Sequence, residues 1–366
     1  MNTKKKILLY CSSLTKGGTE RVVVNLAEYL KSQGIAVTMV TQHQSENEYM
    51  LLSGIPRIFS EITETEMKNS RVGNFFARYK KLRSIWKSQR PDWIISFIGK
   101  NNIMAVGAAL FTGIPVFVSV RGEPTCEYYS FGLRFFAKTL FYFASGVIVQ
   151  TEAAKRFFPS CIRKKAIILK NPLNPSFIRP RFEGKRDGRI VAVGRVDSNK
   201  NHEMIIRAFS KIAEEFPCTS LTIYGDGECR EKLQKLTEKL GMSERVSLPG
   251  LVTDVPEKIY RSSVFVLSSN SEGMPNALLE AMCLGIPCIS TDCPCGGPGE
   301  LIKDGINGFL IPVGDEDALA DRLRTLLTDE ETAERIGKQA ASLLETYNPD
   351  NVNSEWLAYL LSKMGD

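Results

Sequence analysis

The sequence predicts an α/β protein of two doubly wound sheets in tandem, and three observations carry that prediction. The chain has 366 residues, a length that suggests two or three domains. Short apolar, β-prone runs alternate with longer helical ones from the start, the β–loop–α–β order that opens a parallel sheet. Asn171-Pro172-Leu173-Asn174-Pro175 then breaks the pattern with two prolines, as a linker does, and a second series of strands and helices follows it. No close internal repeat relates the two series; they share a pattern rather than residues.

In the first series, Ile7 to Cys11 reads as a strand, Ser12 to Gly18 as a loop of small residues, Gly18 to Ser32 as a helix and Ile35 to Thr41 as the second strand. Gly17-Gly18 lets backbone come close to a ligand at the helix start, although such a pair alone is more often only a turn. Arg71 to Arg90 is a helix whose apolar residues Val72, Phe75, Phe76, Tyr79, Leu82 and Trp86 recur at helical spacing. Its cations, from Arg71 and Arg78 to Lys87 and Arg90, are interrupted by no acid. Two readings stand for it: a basic amphipathic helix lying on an anionic bilayer, or a helix that covers the sheet and keeps its charges in water. They can hold for different turns. Trp93–Phe97, Pro115–Val120 and Gly146–Gln150 are further strands, with helices over Asn101–Phe111 and the aromatic-rich Phe131–Tyr142. The latter is more often a face docked on the core, and it also adds to the case for surface binding.

In the second series, Arg189–Val193, Ser220–Tyr224, Val246–Leu248, Val264–Leu267 and Pro287–Ser290 are strands. Lys200–Glu214 and Cys229–Leu240 are helices, the chain is mainly helical from Asp315, and Pro349 breaks it before a last helix, Val352–Met364.

Composition bounds the function. Apolar content of 43% and charged content of 24% fit a soluble globular protein. No run of 18 uncharged apolar residues occurs, so no membrane-spanning helix is expected. The run Ile7–Tyr10 after Met1-Asn2-Thr3-Lys4-Lys5-Lys6 is too short for a signal-peptide core. Nine scattered cysteines, an odd number, fit a reduced cytosolic chain. Cys288, Cys293 and Cys295 lie close together, but a fourth ligand at recognisable spacing is lacking, so no metal site is expected. The net charge of +6 divides unequally: +14 over residues 1–172 and −8 over the remainder. A basic half implies an anionic partner, namely a membrane surface, a nucleic acid or a phosphorylated substrate. No helix-turn-helix, zinc-finger or aromatic RNA-binding signature accompanies it, which argues against nucleic acid.

The stretch from Ser269 to Met282 carries the chemistry. It reads as strand, tight loop and helix: Met274 before a proline is held out of the helical region, Asn276 is a good N-cap and Ala277–Leu284 are good helix formers. Amides at a helix start bind phosphate. Glu272 lies in the loop, and Glu280 one turn into the helix on the stripe of Asn276 and Ala277. One glutamate can bind sugar hydroxyls and the other ribose hydroxyls while the helix dipole holds a diphosphate, which suits a sugar nucleotide. Any two glutamates eight apart are usually an exposed loop residue and an ordinary helical one; the residues around them decide otherwise. Gly194-Arg195 ends a strand with Lys200 just beyond, so two cations can converge on one anion at the strand ends.

Glu272, seven residues and Glu280, with Gly273-Met274-Pro275-Asn276 between, resembles the signature of glycosyltransferase family 4, the retaining family of GT-B architecture. The resemblance extends over most of the chain, through Gly17-Gly18-Thr19-Glu20-Arg21, Val193-Gly194-Arg195, Lys200, Tyr224-Gly225-Asp226-Gly227 and Asn307-Gly308-Phe309-Leu310. It implies two Rossmann-like domains with the active site in the cleft: residues 1–172 facing acceptor and membrane, 173–349 binding the donor, and 350–366 a helix returning to the first domain. It implies a metal-independent, retaining hexosyltransferase that needs no cofactor beyond a UDP-sugar donor. Arg195 and Lys200 would clamp the diphosphate and Glu272 would hold the donor sugar. Glu280 would take the ribose, Gly273, Met274, Pro275, Asn276 and Ala277 would line the sugar pocket, and Leu248 and Leu251 would hold the base. Gly17 and Gly18 would contact the donor's diphosphate or the acceptor, and Gly194 would approach the donor. Many relatives place a histidine where this chain has Arg121, at the end of a strand; a subset acting on lipid-linked oligosaccharides carries arginine there, and Arg121 is expected in the reaction. His43 and His202, the only histidines, fall elsewhere and are read as structural or surface residues. The expected partners are a nucleotide sugar, a lipid-linked or oligosaccharide acceptor and the anionic inner face of the cell membrane, with the protein peripheral and cytoplasmic. Front-face displacement and a covalent intermediate both stay open. A non-hydrolysing UDP-sugar 2-epimerase, or a non-catalytic sugar-nucleotide or membrane-binding protein, are the rival readings.

Overall fold

A computed structural model describes residues 5–67 and 70–363. Met1–Lys4, the side chain of Arg71 and the expected helix end at Met364 lie outside the described residues. The chain divides into two compact units, Met1–Asn171 with Val352–Asp366, and Pro172–Asn351.

The first unit contains, in order, β1 (Lys6–Cys11), α1 (Gly18–Ser32), β2 (Ala36–Thr41), β3 (Arg57–Phe59), α2 (Arg71–Gln89), β4 (Trp93–Phe97), α3 (Gly99–Ala109), β5 (Val116–Ser119), α4 (Pro124–Glu127) and α5 (Phe131–Leu140). A 3-10 turn at Phe141–Phe143, β6 (Gly146–Val149), α6 (Glu152–Arg156), α7 (Ser160–Arg163) and β7 (Ala166–Ile168) follow. The strands form one parallel sheet in the order β3-β2-β1-β4-β5-β6-β7. Chain direction across the sheet reverses between β1 and β4, paired from Ile7–Trp93 to Tyr10–Ser96. Both faces are covered, which is why these strands are continuously apolar. Ile7, Leu9 and Cys11 face a core that α1 shares with Val352, Trp356 and Leu360 of the final helix, Pro349–Ser362. Tyr10, pointing the other way as strand alternation requires, meets Trp86 of α2 edge-on at 5.6 Å.

The second unit contains β8 (Arg189–Val193), α8 (His202–Ile212), β9 (Ser220–Tyr224), α9 (Arg230–Lys239), β10 (Val246–Gly250), α10 (Val255–Ile259), β11 (Val264–Leu267) and α11 (Asn276–Cys283). Then come β12 (Cys288–Thr291), α12 (Gly297–Leu301), β13 (Phe309–Ile311), α13 (Glu316–Thr328), α14 (Glu330–Ala341) and α15 (Leu343–Thr346). Its parallel sheet runs β10-β9-β8-β11-β12-β13, reversing between β8 and β11. Open α/β sheets bind ligands at the carboxyl edge of such a reversal.

Several expectations need correction. Pro349 begins the final helix instead of breaking one, because a first-turn residue needs no N–H partner. Lys200 precedes α8: Asn201 takes a left-handed turn, φ 48°, and the helix starts at His202. Pro275 is the N-cap of α11 and Asn276 its first helical residue. The Arg71–Arg90 helix stops at Gln89; its Leu82 and Trp86 are buried, whereas Val72, Phe75 and Phe76 are exposed. On α5, read as more often a docked face, Ala137 is buried while Phe131, Phe135 and Phe136 stand in solvent.

Candidate functional site

At the carboxyl edge of the second sheet, the loops after β8, β11 and β12 are laced together. Asn199 Nδ2 donates to Ser271 O at 2.9 Å, Asn270 N to Asn199 O at 2.8 Å and Ser268 Oγ to Lys200 O at 2.7 Å. Thr291 Oγ1, at the end of β12, donates to Ser269 O at 2.6 Å. Glu272 N donates to Pro294 O at 2.8 Å, and Cys295 N donates back to Glu272 O at 3.3 Å. Two glycines are required by close approach. A Cβ on Gly297 would lie 1.5 Å from Gly273 O, and one on Gly225, whose φ is 141°, would lie 1.8 Å from Gly194 O. No side chain fits either place.

This lacing presents a charged pair. Lys200 Nζ donates to Glu272 Oε1 at 2.6 Å, and Ser269 Oγ donates to the same oxygen at 2.6 Å. The side chains of Lys200 and Glu272 are only 16% and 12% exposed, so the pair is largely withdrawn from water. Arg195 does not join it. Its side chain, 77% exposed, reaches Asp197 Oδ2 at 3.2 Å, so Arg195 and Lys200 are not aimed at one point in this arrangement. Each cation rests on its nearest carboxylate, which avoids holding two like charges together. His202 sits below them, buried, with Nε2 3.3 Å from Arg195 O. Burial, then the Lys200 charge, push its imidazole down to about 4, so it is neutral at pH 7 and adds no charge.

The remaining expected donor residues fall unequally. Gly273, Met274 and Pro275 are buried in the turn, Asn276 and Ala277 open α11 half-buried, and Glu280 lies buried one turn on. Gly194 packs against the Lys200 stem. Leu248 is half-buried against the core and its carbonyl accepts from Arg230 Nη2 at 2.7 Å, while Leu251 beyond it is exposed. β10 runs to Gly250, which keeps Leu248 inside the strand.

At the carboxyl edge of the first sheet the polar groups are mostly neutral. Gln42 Nε2 donates to Asn101 Oδ1 at 2.7 Å, and Asn101 Nδ2 donates to Ser12 Oγ at 2.9 Å. Gly17 is the N-cap of α1 and Gly18 its first residue. The loop before them is braced by Glu48, which accepts from Leu14 N at 3.1 Å and pairs with Arg57 at 2.5 Å. The Arg57 hydrogen bond is the chief reason that the Glu48 carboxyl is drawn down to about 2.

Arg121 is not presented to solvent. It is 5% exposed, donates to Asn171 Oδ1 and lies over the Trp356 ring at 5.7 Å, while its Nε and Nη1 find no partner among the described residues. Burial pushes its guanidinium down to about 10, which leaves it charged at pH 7. In this structure it braces the first unit through Asn171 and Trp356. Glu127, which sequence reasoning missed, accepts from Gly99 N at 2.9 Å and Arg121 N at 2.8 Å, stitching the loops after β4 and β5. Burial pushes its carboxyl up, against those hydrogen bonds. Ile98, beside it, holds φ at 68°, an uncommon strain for a β-branched residue and one that clusters at functional edges. Nothing periodic marks Glu127, Glu48 or Arg57 in the sequence.

Two family models divide the chain between them. Glycosyltransferase Family 4 matches residues 16–177, and Glycosyl transferases group 1 matches residues 176–343. The chain is 26% identical, over 96% of its length and 97% of the relative's, to the GalNAc-alpha-(1->4)-GalNAc-alpha-(1->3)-diNAcBac-PP-undecaprenol alpha-1,4-N-acetyl-D-galactosaminyltransferase of Campylobacter jejuni. It is 23% identical, over 96% and 98%, to the amylovoran biosynthesis glycosyltransferase AmsD of Erwinia amylovora. Among solved structures, Anabaena Alr3699/HepE in complex with UDP-glucose shares the fold with a TM-score of 0.82 at 19% identity, over 98% of this chain and 99% of that one. The two doubly wound α/β units expected from the motifs are those observed.

Proposed function

The chain belongs to glycosyltransferase family 4, and from that premise we propose that it moves a hexose or N-acetylhexosamine from a UDP-sugar to a hydroxyl of a lipid-linked glycan, with retention at the anomeric carbon. One observation carries the reading. Lys200 and Glu272, 72 residues apart in the chain, meet at 2.6 Å where the second sheet reverses, in the loop that leads into α11. A cation, a carboxylate and the first amides of a helix together answer the three demands of a sugar diphosphate: charge, hydroxyls and phosphate oxygens.

In the reaction the bond from the anomeric carbon to the diphosphate oxygen breaks, and its electron pair stays with the diphosphate. The acceptor oxygen bonds to that carbon on the same face, and its proton passes to the departing diphosphate oxygen, so charge balances. Lys200 turns from Glu272 to the growing negative charge, and Glu272 takes a hydroxyl of the donor sugar. Arg195, itself 77% exposed, adds a second cation, since leaving Asp197 costs only about 0–1 kcal/mol for so exposed a guanidinium. Each such preorganised donor contributes roughly 3 kcal/mol, about a hundredfold in rate. Glu280 takes the ribose and Leu251 the base. Protein cations carry the charge, so the reading invokes no metal. A UDP-glucose complex of the HepE neighbour and the PP-undecaprenol of the Campylobacter relative's name support the donor and acceptor classes. An acceptor of that kind lies in a bilayer, so we place the enzyme as a peripheral protein on the cytoplasmic face of the cell membrane. The +14 charge of residues 1–172 supports this.

The test is a panel of UDP-sugars, screened first for a rise in unfolding temperature and then for transfer to a polyprenyl-diphosphate-linked sugar. Turnover that survives both Lys200→Ala and Glu272→Gln undiminished refutes the assignment, and conversion of a UDP-sugar to its 2-epimer without acceptor replaces it.

A further inference from the structure

The first unit carries an apolar face that its own core does not use. Phe111 is 98% exposed in the turn after α3, Phe131 is 87% exposed at the start of α5, and Phe135, Phe136, Tyr142 and Phe143 are each at least half exposed. The three segments are neighbours: α5 leads directly into the turn that carries Tyr142 and Phe143, and Phe111 and Phe143 line one apolar hollow of about 330 Å³ with Leu110 and Ile114. Monomeric soluble proteins seldom expose so many large apolar side chains together. Cations lie beside them: Arg83 Nη1 donates to Leu110 O at 2.6 Å and Lys165 Nζ to Tyr142 O at 2.5 Å. From Met67 to Thr151 the sequence holds twelve lysines and arginines, the buried Arg121 among them, against three acids, Asp92, Glu123 and Glu127. Of those acids Glu127 is turned to backbone amides and Asp92 accepts from Lys6 N at 2.7 Å. Arg134 and Lys138 stand exposed on α5 itself, which has no acidic residue.

We propose that this aromatic crest, Phe111 with Phe131, Phe135 and the Tyr142-Phe143 pair, inserts among the acyl chains of an anionic bilayer while the adjacent cations hold the headgroups. Charge complementarity selects the occupant: an apolar surface flanked by cations matches an apolar layer capped by anions, the pattern of interfacial membrane segments. The proposal rests on the reading of a lipid-linked acceptor and deepens it. Attachment is made by discontiguous side chains from three segments, not by the length of α2, whose Leu82 and Trp86 are committed to the core.

All three native tryptophans, Trp86, Trp93 and Trp356, are buried, so Phe143→Trp places a single exposed indole on the crest. Its emission is expected to shift to the blue on adding vesicles of phosphatidylethanolamine with phosphatidylglycerol, and to be quenched by brominated acyl chains. In flotation with those vesicles at about 1 M salt, where screening acts within about 3 Å, the wild type should keep a bound fraction. Phe111→Ser, Phe131→Ser and Phe143→Ser combined should lower it about tenfold or more, with an unchanged melting curve and unchanged transfer to a short-chain, water-soluble acceptor. An unshifted indole, or equal flotation of the triple variant, overturns the proposal. So does a wild-type dimer that the triple variant dissolves without change in flotation, because the face is then a contact between copies. Failure of sugar transfer alongside the expected flotation would sink only the catalytic reading.

Discussion

The two sheets reverse direction in the same way and are furnished in opposite ways at the reversal. In the second unit the edge carries an ion pair, Lys200–Glu272, held by hydroxyl and amide bonds from three loops. In the first unit the corresponding edge carries the amides and hydroxyls of Gln42, Asn101 and Ser12, and its charged groups, the Arg57–Glu48 pair with Arg121 and Glu127, are taken up by protein partners as braces. One topology thus yields an edge suited to a diphosphate and an edge suited to hydroxyls. The sheet order sets where a site can be; the loop residues set what it is for.

Removing a brace from the first unit should have the largest effect. Trp356 stacks on Phe97 of β4 at 6.4 Å, lies under Arg121 and donates to Lys170 O at 3.1 Å. Trp356→Ala is expected to cost about 3–5 kcal/mol of stability, read by urea unfolding. A loss below about 1 kcal/mol would mean that the final helix is not integral to that core. In the second unit Lys200→Ala should lower turnover about a hundredfold, roughly 3 kcal/mol in the transition state. It should also destabilise, since Glu272 loses its partner. Adding Glu272→Gln should restore stability and leave turnover low, and a double-mutant cycle separates the two effects.

Acid should distinguish the units. The folded pKa of His202 is depressed from 6.5 to about 4, so the unfolded chain takes the proton first. Its contribution is full above pH 6.5 and is lost as pH falls through 4. For Glu48, depressed from 4.5 to about 2, the contribution is full above pH 4.5 and is lost on approaching 2. Each is worth at most about 3 kcal/mol. Hydrogen exchange resolved by segment should therefore weaken around α8 first and around β3 and the Leu14 loop at lower pH. His202→Asn should remove the first step, and a single simultaneous transition would deny the separation. The smallest effect belongs to Arg195→Ala: its guanidinium is 77% exposed, so stability should change by less than about 1 kcal/mol while turnover falls.

Much of the architecture is legible in the chain. The strands Trp93–Phe97, Arg189–Val193, Ser220–Tyr224 and Val264–Leu267 and the helix Gly18–Ser32 have the bounds their patterns predict. Arg57–Phe59, Ala166–Ile168 and Phe309–Ile311 escaped because three residues are too few to display a period. Lys200 and Glu272 were both legible as site candidates, each beyond a strand end. Their pairing was not, because it depends on two loops 72 residues apart and on which cation finds which carboxylate. The buried setting of Arg121 is hidden from the pattern for a related reason. Its place after β5 follows from the pattern, but the direction of its side chain is set by Asn171 and Trp356, far along the chain.

The first unit is discontinuous: its core takes Val352, Trp356 and Leu360 from beyond the whole of the second. During vectorial synthesis, at about 5–20 residues per second, the portion that leaves the ribosome first is therefore the last able to close. For the tens of seconds in between, Phe97 and its neighbours wait without their cover, an interval in which a chaperone or a stalled ribosome decides the yield.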